Sequence, residues 1–268
     1  MSAAQLSARV IDNRPLTGGY FVLTFEAERP SAIAETIPGQ FAMVRGAWGR
    51  DLLNPRAFSV LHAADARRFS ILAKVFGRGT ARLQVVEPGA PVTVTAPLGR
   101  GFRPPARGKT QLLVAGGVGL PPLHLQARVA AQAGIAGAVE LLYGGRTRAD
   151  LVLLEDLAAW DVRVTLTTED GSAGERGFVT APLERRLDEA RARGEDVEVL
   201  ACGPTPMLRA VQKIGLSRQV PTYLCLEEVM ACGFGVCLGC AVPVYGPKPY
   251  RYCCTDGPVF DAREVRWS

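Results

Sequence analysis

Two different rhythms of hydrophobic residues divide the chain. Up to about Phe102, short alternating or β-branched runs are separated by glycine and proline, a pattern typical of antiparallel barrels and sandwiches. The strands predicted there are residues 7–11, 20–26, 40–44, 57–61, 69–75 and 91–95. The first third of the chain is therefore expected to be an antiparallel β-barrel or sandwich.

From Thr110 the pattern changes to strands that alternate with helices. The predicted strands are residues 111–115, 139–143, 162–167, 197–201 and 222–226, and the predicted helices are a proline-started, alanine-rich segment ending near Ala133 and residues 150–160, 182–193 and 204–214. Repeated β-α units imply a parallel sheet that is covered on both faces. We therefore expect an α/β domain.

The remainder is a glycine- and cysteine-rich tail with too few apolar residues to form a core of its own. We accordingly divide the chain into a barrel at residues 1–103, an α/β domain at 104–224 and a small tail domain at 225–268. The fold class is thus a multidomain α+β protein.

Charge and hydropathy exclude several classes of function. The formal charge of +5 comes from scattered arginines, which does not favour nucleic-acid binding. The longest apolar run, near residues 112–123, is interrupted by glycine and proline and is shorter than the ~20 residues that cross a bilayer. No secretory signal pattern is visible, so we expect a cytoplasmic protein without membrane contact.

Cysteine is the most informative residue type. Five of the seven cysteines lie between Cys232 and Cys254, which argues for a metal site in a reducing compartment rather than for disulfides. Cys232, Cys237 and Cys240 follow the C-x4-C-x2-C spacing of plant-type [2Fe-2S] ligation, and the doublet at 253–254 offers a fourth thiolate. A zinc knuckle is the alternative, but its cysteines are usually paired as C-x2–4-C at both ends.

Two further segments indicate a flavin site. Arg56-Ala57-Phe58-Ser59 places an arginine that could bind a pyrophosphate at the start of a predicted strand, although an edge strand with a solvated arginine would look the same. The second segment is a strand at Leu72-Ala73-Lys74 that leads into a turn containing Gly79 and Thr80, whose free N–H groups could approach phosphate. Together they predict FAD binding in the barrel.

Two strand-to-helix turns indicate a nicotinamide site. One contains Gly116, Gly117 and Gly119, where glycine lets a dinucleotide phosphate approach the following helix, and the other contains Cys202 and Gly203. A plain tight turn and a buried structural cysteine are the alternatives. No catalytic acid, base or nucleophile is predicted, and the paired carboxylates at 169–170 and 227–228 are expected to lie on the surface or in linkers.

The order of these motifs resembles the ferredoxin–NADP reductase superfamily. The tail, from Leu226-Glu227-Glu228 through Cys254-Thr255-Asp256-Gly257-Pro258, resembles the electron-transfer subunits of the two-subunit, NAD-dependent dihydroorotate dehydrogenases. This resemblance extends from about Arg9 to Trp267. It implies FAD contacts at residues 56–59, 72–74, 79 and 80 and cluster ligands at Cys232, Cys237, Cys240 and Cys254. Ala57 stands where proline is common, and Cys253 is an additional cysteine.

The resemblance also implies a function in pyrimidine biosynthesis. The chain has no barrel of eight β-α units to house dihydroorotate oxidation. A partner subunit containing FMN, in a heterotetramer of two plus two, would pass electrons through [2Fe-2S] and FAD to NAD. Arg146 and Arg148 leave the choice between NAD and NADP open. The alternatives are the small subunit of NADH-dependent reduced ferredoxin:NADP oxidoreductase and a non-catalytic, zinc-stabilised interaction module.

Overall fold

The amino-terminal part of the protein is a closed antiparallel barrel. The computed structural model describes residues 4–49 and 52–267. Its barrel strands follow the spatial order β1-β2-β5-β4-β3-β6, so the predicted antiparallel fold is confirmed as a barrel. The strands are β1 (Ala4–Pro15), β2 (Tyr20–Ala27), β3 (Phe41–Gly46), β4 (Arg56–Ala63), β5 (Arg68–Lys74) and β6 (Pro91–Leu98), and a short helix, α1 (Arg78–Gln84), follows β5.

Large apolar side chains fill the barrel. Phe25 on β2 is directly opposite Phe69 on β5, and their rings stack with centroids 5.1 Å apart. Phe21, Leu23 and Ile71 are also fully buried. Because inward-facing residues alternate with outward-facing ones along a barrel strand, this packing accounts for the short alternating runs in the sequence.

The second part is a sheet whose strands are parallel except at one edge, where β15 (Val259–Asp261) of the tail is added, in the order β10-β9-β8-β7-β11-β12-β15. The parallel strands are β7 (Thr110–Gly116), β8 (Val139–Gly145), β9 (Arg163–Thr168), β10 (Glu175–Arg176), β11 (Val197–Cys202) and β12 (Thr222–Cys225). The helices are α2 (Leu120–Gln132), α3 (Leu154–Ala159), α4 (Thr180–Arg193) and α5 (Thr205–Ser217). Leu112 and Val114 of β7 pack on one face and Leu113 and Ala115 on the other, which confirms a sheet covered on both faces.

Helix α3 is shorter than the predicted helix at residues 150–160. A 3₁₀ turn at Arg148–Asp150, capped by the Thr147 hydroxyl, precedes α3. Leu153, immediately before α3, has a φ of 59°, which is a left-handed conformation that a continuous helix cannot contain. The segment predicted as a helix at residues 150–160 therefore begins with a turn, and its helical part is limited to α3.

The cysteine-rich tail is held by the other two parts of the molecule. Strands β13 (Ala241–Pro243) and β14 (Tyr250–Tyr252) pair with each other, while β15 (Val259–Asp261) runs antiparallel to β12 at the edge of the main sheet. Phe260 and Cys253 belong to the same buried cluster as Met43 of the barrel. The buried residues of the tail therefore belong to a hydrophobic core that the tail shares with the rest of the molecule.

Among the helices of residues 4–49 and 52–267, none is both long enough and apolar enough to cross a membrane.

Candidate functional site

A cavity of about 370 Å³ opens where the barrel meets the tail. Strands β4 and β5 supply one wall, and the segment after β12 supplies another. The predicted flavin-binding residues that line this flavin cavity are Arg56, Ala57, Phe58, Ser59, Leu72, Ala73, Lys74 and Thr80. The structure therefore brings the two sequence segments together on one surface.

Arg56 is held at the rim of the flavin cavity by its neighbours. A Cβ atom added to Gly79 would lie 2.7 Å from the Nε atom of Arg56, so the guanidinium occupies space that only glycine leaves free. The guanidinium also stacks 5.7 Å from the Trp48 ring and donates a hydrogen bond to the carbonyl of Asn54. Gly79 is thus not itself a lining residue, and it shapes the site through Arg56.

In the turn before α1, the Thr80 hydroxyl makes three hydrogen bonds within the turn itself. The Thr80 hydroxyl accepts hydrogen bonds from the N–H groups of Phe76 and Gly77, at 2.9 and 3.2 Å, and donates one to the Gly77 carbonyl at 3.1 Å. The two amides are therefore satisfied within the turn and are not free to bind phosphate. Thr80 can do this because it lies three residues after Gly77, the N-cap residue of α1, so that its hydroxyl reaches back to the N-cap backbone.

A second cavity, of about 760 Å³, lies at the carboxyl ends of the parallel strands. Ligands of open α/β sheets bind at this edge, and the volume is in the range of small-molecule sites. Of the predicted nicotinamide residues, Gly116, Gly117 and Gly203 line this nicotinamide cavity. The structure thus joins the two glycine turns that the sequence separates by more than eighty positions.

Gly119 and Cys202 support the nicotinamide cavity without lining it. A Cβ atom at Gly119 would lie 2.4 Å from the Cys202 carbonyl oxygen, so this glycine allows α2 to pack closely on the end of β11. Cys202 is 1% exposed and is paired in register with Cys225 on β12. The neighbouring Cys225 thiol and burial together raise the pKa of Cys202, so its thiol stays protonated. These features match the alternative of a buried structural cysteine.

The two cavities meet at four side chains. Lys74, Phe76, Val118 and Glu227 line both the flavin cavity and the nicotinamide cavity. Glu169 and Glu227 are exposed and lie in connecting segments, as expected from the sequence, and both also line the nicotinamide cavity.

The lining residues that sequence reasoning missed include Tyr20 and Asp150. Neither belongs to a motif, and they are 130 residues apart, so only the folded chain brings them together. Arg146 lines the cavity as well, whereas the backbone N–H of Arg148 donates to the Ser172 hydroxyl and its side chain is not among the lining groups.

The four predicted cluster ligands form two pairs. The Sγ atoms of Cys240 and Cys254 are 3.3 Å apart, and the N–H of Cys237 lies 3.5 Å from the Sγ atom of Cys232. The N–H of Gly235 also points at the sulfur of Cys254, so the loop that carries Cys232 and Cys237 contacts the Cys240–Cys254 pair. A [2Fe-2S] cluster takes four thiolates, two on each iron, and two adjacent pairs fit that requirement.

The backbone around Cys232 also suits a metal ligand. Burial opposes ionisation of this thiol, but hydrogen bonds from the N–H groups of Cys237, Phe234 and Val236 outweigh burial and lower the pKa of Cys232 to about 6. The thiolate, and not the thiol, is the form that binds metal. Gly235, with a φ of 85°, allows this curled backbone, which presents N–H groups to sulfur.

The doublet at the end of the tail points in two directions. The Sγ atom of Cys253 is fully buried and donates to the Leu226 carbonyl at 3.4 Å, whereas the Sγ atom of Cys254 faces Cys240.

Within the described part of the chain, no three His, Cys, Asp or Glu side chains converge closely enough to bind one metal ion.

The fold and the site together define a flavin- and nicotinamide-dependent reductase with an iron–sulfur tail. Residues 113–213 match the family model of the oxidoreductase NAD-binding domain. Residues 227–266 match the model described as the iron-sulfur cluster binding domain of dihydroorotate dehydrogenase B.

Relatives define the family more narrowly. The chain is 37% identical over 266 residues to the dihydroorotate dehydrogenase B (NAD(+)) electron transfer subunit of Caldanaerobacter subterraneus, covering 97% of this chain and 98% of the relative. It is 40% identical over 233 residues to the subunit of the same name from Bacillus caldolyticus, covering 85% of this chain and 86% of the relative. The chain therefore belongs to the family of dihydroorotate dehydrogenase B electron-transfer subunits.

Solved structures agree with this fold. The structure of an NADH-dependent reduced ferredoxin-NADP oxidoreductase has a TM-score of 0.80 and 25% identity, covering 100% of this chain and 92% of that one. The ferredoxin reductase of carbazole 1,9a-dioxygenase shares the fold with a TM-score of 0.72 and 24% identity, covering 84% of this chain and 69% of that one. The protein is an oxidoreductase subunit, with FAD, a [2Fe-2S] cluster and NAD as its cofactors.

Proposed function

We propose that this chain transfers the electrons of dihydroorotate oxidation to NAD⁺ for a partner subunit that contains FMN. The observation that carries the proposal is the spatial order of the three sites. The cysteine pairs lie in the tail, the flavin cavity lies between barrel and tail, and the nicotinamide cavity adjoins the flavin cavity through shared side chains. An electron path from a docked partner to a nicotinamide requires that order.

The bound cofactors supply the redox chemistry, because the cluster carries single electrons while FAD exchanges an electron pair with the nicotinamide as hydride. The protein's residues position these groups. We assign the flavin site to residues 56–59, 72–74 and Thr80, with Gly79 in support, and the nicotinamide site to Gly116, Gly117 and Gly203, with Gly119 and Cys202 in support. We assign the cluster to Cys232, Cys237, Cys240 and Cys254.

An apolar surface around the cysteine loop suits a partner protein. Phe234, Val236 and Leu238 are 54%, 73% and 52% exposed, and Cys237 between them is also exposed. Exposed apolar groups clustered in this way are typical of protein interfaces. We assign this docking surface to the catalytic subunit, because a docked partner would then stand next to the cluster.

The division into residues 1–103, 104–224 and 225–268 follows from the same assignment, one part for each cofactor. The names of the relatives favour dihydroorotate as the source of electrons over ferredoxin, and they favour an enzyme subunit over a zinc-stabilised module. The heterotetramer of two plus two and the cytoplasmic location belong to this proposal as well.

The test is to assay the purified chain alone and with the FMN-containing catalytic subunit of the same organism. We expect dihydroorotate-dependent NADH formation only with both subunits. Val236→Asp should abolish complex formation on gel filtration while FAD and cluster absorbance are retained. Val85→Asp, which alters a valine of the barrel that is also 73% exposed, serves as the control.

Oxidation of dihydroorotate by the single chain would contradict the two-subunit function. An intact complex with the Val236→Asp variant would contradict the docking surface.

A further inference from the structure

One carboxylate connects the barrel to the nicotinamide cavity. The Oδ1 atom of Asp150 accepts a hydrogen bond from the Lys74 ammonium on β5 at 2.5 Å and a long one from the Tyr20 hydroxyl on β2 at 3.5 Å. The Oδ2 atom accepts from the backbone N–H groups of Arg146 and Thr147 at 3.1 and 3.3 Å. Each carboxylate oxygen therefore serves a different domain.

The pair is shielded from water. The side chains of Lys74 and Asp150 are 13% and 9% exposed, and the ammonium also lies 4.6 Å from the centre of the Tyr20 ring. Burial opposes ionisation of Asp150, but the hydrogen bonds from Lys74 and from the N–H groups of Thr147 and Arg146 outweigh it and hold the pKa of the carboxyl below its usual value. Asp150 is therefore ionised at neutral pH, and a partly buried charge that loses its partner is strongly disfavoured.

The position of the pair relates it to both cofactor sites. Lys74 lines the flavin cavity together with Leu72 and Ala73, and it lines the nicotinamide cavity as well. Asp150 closes the loop after β8, which we define as residues 146–150. Arg146 of that loop lines the nicotinamide cavity together with Gly144 and Gly145 at the end of β8. The pair thus connects a flavin-side strand to a nicotinamide-side loop.

A second contact holds the same loop. The Thr17 hydroxyl of the barrel donates to the Ala149 carbonyl at 3.2 Å. At Gly18 an added Cβ would lie 2.5 Å from the same carbonyl oxygen, so the two backbones touch there. The barrel therefore restrains the loop at two adjacent residues, one through charge and one through close packing.

We propose that the Lys74–Asp150 pair positions the loop after β8 relative to strand β5. The pair would thereby align the nicotinamide with the flavin for hydride exchange. The inference rests on the proposed nicotinamide and flavin sites. Asp150 is a positioning residue here, since it acts through the loop, and Lys74, which also lines the flavin cavity, holds it from β5. Hydride exchange needs aligned reactants, and a displacement of about 1 Å can lower a rate by about a hundredfold.

The experiment uses the whole chain with its cofactors, without partner or dihydroorotate. Lys74→Met and Asp150→Asn remove the charge pair, and asparagine still offers an oxygen to the N–H groups of the loop. Lys74→Arg is the rescue variant. The measurements are FAD and cluster content, the dissociation constant of NAD⁺ by calorimetry, and the rate of flavin reduction by NADH. The long-wavelength charge-transfer absorbance after NADH is added reports whether the nicotinamide stacks on the flavin.

We expect Asp150→Asn to retain FAD and cluster. Both neutral variants should bind NAD⁺ more weakly, lose long-wavelength absorbance and, per bound flavin, be reduced about ten- to a hundredfold more slowly. Lys74→Arg should recover most of the rate. The double variant should be no slower than the worse single variant, because the two residues act as one unit. Arg9→Met, which breaks the Arg9–Glu26 pair on the barrel surface, is the matched control and should leave every reading unchanged.

A wild-type reduction rate in Asp150→Asn, or a rate loss that simply follows FAD loss, would overturn the inference. Additive effects in the double variant would overturn it too. Because neither dihydroorotate nor the catalytic subunit enters the assay, a failure of the proposed electron source would leave these results interpretable.

Discussion

At the scale of single residues, the neighbouring Cys253 and Cys254 differ in whether their sulfur atoms can reach the proposed cluster site. Adjacent residues in extended backbone point their side chains in opposite directions. Cys254 accordingly faces Cys240, while Cys253 is buried against the Leu226 carbonyl. Burial raises the pKa of both thiols, and the neighbouring Cys240 raises that of Cys254 further, to about 12. A bound iron would favour the thiolate only where the sulfur can reach it.

We therefore predict different results for the two alanine substitutions. Cys254→Ala should keep FAD but lose most of the [2Fe-2S] signal in electron paramagnetic resonance after reduction, because one iron lacks a thiolate. Cys253→Ala should keep the signal and lower the free energy of unfolding by only about 1 kcal/mol, as for a typical buried substitution. Alanine is preferable to serine, whose oxygen could still bind iron. The reverse pattern would assign the ligand to Cys253.

At the scale of elements, the flavin cavity depends on a strand and a turn that fit each other. The guanidinium of Arg56 on β4 lies against Gly79 at the start of α1. The sequence predicted both segments, since each has a recognisable motif. It did not predict their contact, nor that Thr80 would cap its own turn, because both depend on how β4 and β5 meet in the barrel.

The prediction for this element is that Arg56→Ala weakens FAD binding by about ten- to a hundredfold, which corresponds to the ~1.5–3 kcal/mol of hydrogen bonds to a charged group. Arg56→Lys should not restore binding fully, because lysine lacks the planar fork of donors. Flavin content after desalting and the FAD dissociation constant measure the effect, and cluster absorbance should persist. The control is Arg45→Ala on β3, an exposed arginine outside the cavity. Unchanged flavin content in Arg56→Ala would mean that the barrel site is misassigned.

At the scale of the whole molecule, the sequence predicted the barrel, the α/β domain and the order of the cofactor motifs. Period-two and βαβ patterns are local, and so are the spacings of cysteine and glycine. The addition of β15 to the edge of the main sheet could not be predicted, because three residues of a loop-rich tail carry no periodicity. The same holds for Asp150 and Glu227, whose roles arise from contacts between distant segments.

The three parts therefore work as one path only in the folded chain. Lys74, Phe76, Val118 and Glu227 join the flavin and nicotinamide cavities. The tail shares its buried cluster with Met43 of the barrel, which brings the cysteine pairs close to the flavin cavity. The central claim is that this arrangement lets electrons pass between nicotinamide and cluster within a single subunit.

The most direct test is to add NADH anaerobically to the purified chain and to follow flavin absorbance and the electron paramagnetic resonance spectrum. The account predicts loss of the oxidised flavin bands followed by the signal of a reduced [2Fe-2S] cluster, without any other protein. Bleached flavin without a cluster signal would contradict the path between flavin and cluster. Flavin that stays oxidised in the presence of excess NADH would contradict the central claim itself.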